Sequence, residues 1–94
     1  MGRYQTSEKL LHRELEPARQ SQGRDDPMVV AIILNLATSI RAQGRVQPAI
    51  RLLEEEIEWF EQLPTKRSDH PMEKRIAISK IITHLKDHIK YLSP

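Results

Sequence analysis

Ninety-four residues, no cysteine and only four aromatic side chains leave room for one small domain, residues 1–94, whose core carries a margin of a few kilocalories. They exclude a disulfide scaffold and a thiolate zinc site. With 15 Lys and Arg against 13 Asp and Glu and no basic stripe, the net charge of +2 gives no ground for a nucleic-acid partner.

The surplus of Leu, Ile, Glu, Lys, Arg and Gln favours helix over strand, so the expected fold class is all-α with about four helices. The first runs from about Arg3 to Ser21, with Tyr4, Leu10 or Leu11, and Leu15 on one face and Pro17 as a kink or early stop. The second starts near Pro27, after Asp26 as its cap, and continues to Gln43 before Gly44. It is apolar on nearly all sides from Met28 to Ile40 and so belongs between two others. Its longest apolar run, Met28 to Leu34, is too short to span a bilayer, and no membrane partner is expected. The third helix covers about Arg45 to Leu63, with Val46, Ala49, Ile50, Leu53, Ile57 and Phe60 at helical spacing and Pro48 in the first turn. Pro64 and Thr65 to Asp69 form a loop, and a fourth helix from near Pro71 aligns Ile78, Ile81, Ile82, Leu85, Ile89 and Leu92 on one face. The polar start MGRYQTSEKLL is no secretory signal, and the absence of cysteine suits a cytoplasmic protein.

A repeat underlies these elements. Gly2-Arg3-Tyr4 and Gly44-Arg45-Val46 stand 42 residues apart, and RDDPM before the second helix answers SDHPM before the fourth. Gly44 is then the tight corner of a helical hairpin, where the absence of a Cβ permits left-handed backbone angles.

These residues resemble the tetratricopeptide repeat family, in which antiparallel helical hairpins stack into a solenoid. Within NLATSIRAQGRVQPAI, Leu36 and Ala37 match the family's Leu-Gly/Ala pair, Ile40 the bulky residue before the corner, Gly44 the corner, Val46 the tyrosine position and Ala49 the small residue of the second helix. The 42-residue period is most similar to the kinesin-light-chain type. One full hairpin, residues 27–63, would be flanked by half-hairpins at 2–21 and 71–92. Where the family carries a second small residue this chain has Glu14 and Glu56, and a carboxylate at a close helix contact needs a cation or an escape to solvent.

The resemblance implies a non-catalytic module that binds a protein or peptide segment in a concave groove. The groove-facing set would be Leu34, Asn35, Thr38 and Arg41 on the second helix and Ser79, Lys80, Thr83 and Lys86 on the fourth. The Asn35 amide can hold a peptide backbone, and Arg41, Lys80 and Lys86 suggest an acidic or C-terminal peptide. The alternative is self-assembly through the unpaired terminal helices into a homo-oligomer. His84 and His88 stand four apart but have no third ligand at a defined spacing, so no metal and no cofactor are expected. The run Glu54, Glu55, Glu56, Glu58 and Glu61 reads as a solvated face rather than an acid catalyst, and no catalytic motif is present. Trp59 and Phe60, adjacent on a helix, are both expected in the core although they point in different directions.

Overall fold

A computed structural model describes residues 2–62 and 72–93, and these form four α-helices: α1 (Gly2–Gln22), α2 (Pro27–Ala42), α3 (Val46–Glu61) and α4 (Met72–Leu92). The chain is all-α. Leu63, the expected loop from Pro64 to Asp69 and the expected helix start at Pro71 lie outside the described residues.

Each helix packs on its neighbour in sequence, and α2 also touches α4. Side-chain contacts fix the directions. Thr38 meets His88 and Arg41 meets Leu92, so α2 and α4 run parallel. Glu8 meets Arg45 and Arg19 meets Glu56, so α1 and α3 also run parallel. The result is two layers of two helices, a stack of antiparallel hairpins whose Cα atoms span 49 × 30 × 16 Å.

The corner between α2 and α3 closes as the sequence requires. Gly44 has φ +84°, its N–H donates to the Arg41 carbonyl at 2.8 Å, and the Arg45 N–H donates to Ile40 at 3.3 Å. These two bonds satisfy carbonyls that α2 would otherwise leave open. A Cβ at Gly44 would meet nothing within 4 Å, so the barrier to substitution is the backbone angle alone. Gly44→Ala is therefore expected to cost about 1 kcal/mol, measurable as a lower urea midpoint with an unchanged slope.

A second corner of the same kind, not anticipated from the repeat, ends α1. Gly23 has φ +90° and donates to the Arg19 carbonyl at 3.0 Å. Asp26 then caps α2 by accepting the Met28 N–H at 2.8 Å, with Pro27 at the first helical position.

Pro17 does not end α1, contrary to the expectation of an early stop there. The helix runs unbroken to Gln22, and the exposed ring of Pro17 lies on its solvent side. There the lost N–H donor leaves a carbonyl that water can reach, which lowers the cost of a proline inside a helix.

The core is centred on α2. Val29, Ile32, Ile33, Leu36, Ala37 and Ile40 are buried there, against Ala49, Leu53, Ile57 and Phe60 of α3 and Ile78, Leu85 and Leu92 of α4. From α1 only Leu15 is buried, with Leu11 and Ala18 partly so. The outward faces of the end helices are mostly polar, with Gln5, Lys9, Arg13 and Glu16 on α1 and Ser79, Thr83, Lys86, Asp87 and Lys90 on α4 exposed, although Met72, Ile76 and Tyr91 of α4 are exposed too. Polar outer faces are what the terminal helices of a stack need.

Candidate functional site

The eight residues proposed for the groove fall into separate surroundings. Leu34 and Lys80 line a hollow of about 440 Å³ between α2 and α4, together with Asp25, Pro27, Val30, Ala31, Ala77, Ile81 and His84. Ser79, Lys80 and Thr83 border a smaller hollow of about 210 Å³ on α4 with His84 and Asp87. Asn35 and Thr38 open the other way, onto a hollow of about 420 Å³ between α1 and α2 that Ser7, Leu10, Leu11, Glu14 and Ser39 complete.

Two of the proposed cations are engaged elsewhere. Arg41 Nε donates to the Leu92 carbonyl at 2.8 Å and so closes the C-terminal end of α4. Lys86 turns toward α3, where its Nζ is 3.5 Å from Glu61 Oε2; both groups are more than half exposed, so the pair contributes little. Lys80 has no charged partner among the described residues. It is the cation of the set that the structure leaves facing a hollow.

Thr38 is tied in rather than free. Its hydroxyl donates to the Leu34 carbonyl at 2.9 Å, and its oxygen lies 3.1 Å from His88 Nε2. A hydroxyl has one hydrogen, so with that hydrogen on Leu34 the proton between Thr38 and His88 belongs to Nε2. His88 stacks on Tyr91 with centroids 5.7 Å apart. Burial holds its imidazole below the usual range, the neighbouring His84 adds to this, and the backbone of Leu34 opposes it.

The linkage has a definite sign. The unfolded chain takes up this proton near pH 6.5, the folded chain only at lower pH, so the stability His88 confers is full above 6.5. It falls as pH drops from there to the folded value. A lower Tm at pH 5.5 than at pH 7.5 is expected, with the difference smaller in His88→Asn, and thermal denaturation of both proteins checks it.

The densest polar cluster of the described residues is elsewhere, and it shows where the carboxylate of Glu56 goes. Glu14 escapes to solvent at the edge of the α1–α2 hollow. Glu56 is only 3% exposed and takes two cations instead. Arg19 Nη2 donates to its Oε1 at 3.0 Å, and Arg24 donates through Nη2 to Oε1 at 2.8 Å and through Nε to Oε2 at 3.4 Å. The reading of Glu54 to Glu61 as one solvated face is corrected at this position. Arg19 also reaches Glu16 at 2.9 Å, while its Nε is buried without a partner.

Trp59 completes this cluster. Its ring lies 4.2 Å beneath the Arg24 guanidinium and edge-on to Phe60, with centroids 5.1 Å apart. Phe60 is in the core, but Trp59 is 37% exposed, so the expectation that both are core is corrected. An indole that supports a partly exposed guanidinium gains from staying at the surface. The sequence signal for this cluster was Glu56 itself, a carboxylate in need of a cation, while its arginines, Arg19 and Arg24, stand 37 and 32 residues away in the chain.

At the other end of α1, Glu8 accepts from Gln43 Nε2 at 2.8 Å and from Arg45 Nη1 at 3.1 Å. The Gln43 hydrogen bond chiefly, with help from Arg45 and His12 and against the effect of burial, holds its carboxyl below the usual carboxylate range. No helix among the described residues is long and apolar enough to cross a membrane. No family model, curated protein or solved structure matches this chain.

Proposed function

We propose that this chain is a non-catalytic, tetratricopeptide-like module that binds a segment of another protein on the face shared by α2 and α4. One observation carries the reading: the hollow of about 440 Å³ between them, walled mostly by apolar side chains with a few polar groups spaced along it. Concave, largely apolar sites with sparse polar groups are the usual seats of ligands. The resemblance of NLATSIRAQGRVQPAI to the repeat family supports the same face as the binding face.

The test is a titration of the isotopically labelled chain with pools of short peptides, followed by backbone amide NMR. Shifts confined to Val30, Ala31, Leu34, Lys80, Ile81 and His84 are expected. Saturable shifts on the outer faces of α1 or α3, with none in the hollow, would remove the reading.

Self-association is a second reading, favoured by apolar side chains that stay exposed near the ends of the stack: Tyr4 and Leu10 on α1, Met72, Ile76 and Tyr91 on α4. Sedimentation over a wide concentration range separates the two. A constant monomer mass would dismiss this second reading.

A further inference from the structure

Resting on the groove reading above, we infer that the hollow between α2 and α4 seats two turns of an amphipathic helix from a partner protein, rather than an extended strand. The lining residues come at one spacing on both walls. Pro27, Val30, Ala31 and Leu34 on α2 stand at i, i+3, i+4 and i+7, and Ala77, Lys80, Ile81 and His84 on α4 repeat that spacing. On two parallel helices this defines a straight trough about 10 Å long, two turns of helix.

The chemistry of the trough decides the conformation of what lies in it. Its floor and walls are aliphatic, and its side-chain polar groups, Asp25, Lys80 and His84, stand apart from one another along it. An extended backbone in such a trough would bury N–H and C=O groups with few partners. A helix satisfies its own backbone and presents only side chains. Ala31 and Ala77 keep the walls low, which lets an incoming helix approach closely.

Charge sets the remaining specification. Asp25 precedes α2 at the Pro27 end, while Lys80 and His84 occupy the middle and far end. The partner helix therefore carries two or three aliphatic side chains at i, i+3 or i+4, and i+7, with a Lys or Arg at the end beside Asp25 and a Glu or Asp toward Lys80. Asp87 lies beyond the trough on α4 and does not line it.

The probes are synthetic 16-residue peptides, acetylated and amidated, with leucines at those positions, one lysine near one end and one glutamate near the other, made in both chain directions. A matched pair carries proline at one central position, which breaks the helix while keeping length, charge and the flanking leucines. The full chain is titrated with each and followed by NMR and by the circular dichroism of the mixture. The expected result is saturable binding of a helical probe at the trough residues, at least tenfold weaker for its proline version. Binding should be lost in Ala77→Trp, which fills the trough from an exposed position, with the helicity and Tm of the variant confirming its fold.

Lys80→Glu, also at an exposed position, should weaken the preferred probe about threefold, in the range of a surface ion pair. Equal binding of the proline probes would overturn the helix inference and leave the groove reading standing. No binding of any probe up to millimolar concentration, where a pool of extended peptides does shift the same residues, would overturn it too. Concentration-dependent shifts at the trough without any peptide would assign the seat to a second copy of this chain and overturn the partner proposed.

Discussion

Glu56→Ala is expected to cost about 3 kcal/mol, because it leaves two guanidiniums facing a site from which their shared carboxylate has gone. The loss is set by the cations, not by the glutamate's own contacts. Arg19 and Arg24 retain 20% and 27% side-chain exposure and can turn partly to water, which keeps the figure at the low end for a broken buried pair.

For a domain whose whole stability is on the order of 5–10 kcal/mol, that is a fall of roughly 10–20 °C in Tm. Glu56→Gln, which keeps the shape and one acceptor, should lose about half as much. Urea denaturation of the two variants checks both numbers, and a loss below about 1 kcal/mol for the alanine would mean that the cluster is held by solvent rather than by Glu56.

Phe60→Ala is the second large effect, about 4 kcal/mol, while Trp59→Ala beside it should cost about 1 kcal/mol. Phe60 is 1% exposed and closes the lower end of the core with Leu53 and Ile57 on the same face of α3. Its removal loses transfer free energy and leaves a cavity that the adjoining helices fill only in part. Trp59 loses a cation–π contact with Arg24 and an edge contact with Phe60, both at a surface where water replaces them cheaply. Reversal of this order, with Trp59→Ala the more damaging, would show that the Arg24 stack and not the core secures the end of α3.

Local signals made the fold legible. Apolar spacing marked α3 and α4, the unbroken apolar run of α2 marked a helix buried on two sides, and Gly44 marked the corner, because each depends on residues within a few positions. Pro17 misled because a proline's cost depends on which side of the helix it faces, and that is settled by packing against α2 rather than by sequence.

The groove residues were legible only in part. Leu34 and Lys80 reach the α2–α4 hollow because neighbours one turn apart share a face. Arg41 and Lys86 have long side chains whose ends lie several ångströms from their Cα atoms, and their acceptors, the Leu92 carbonyl and Glu61, are distant in sequence. The arginine partners of Glu56 escaped for the same reason. Helix phase says where a stem leaves the backbone, not which acceptor is nearest its tip.

The parallel course of α1 and α3 carries a consequence for the shape of the whole stack. Although both pack on α2, α1 is joined to α3 near each of its ends, by Glu8 to Arg45 and by Arg19 to Glu56. Two struts between parallel rods fix both their separation and their pitch. Curvature in a helical stack is the sum of such small rotations between layers. Here that rotation is braced by charges, one strut largely shielded from salt and one open to it. Raising the ionic strength is therefore expected to loosen the Glu8–Arg45 contact before the shielded Glu56 cluster.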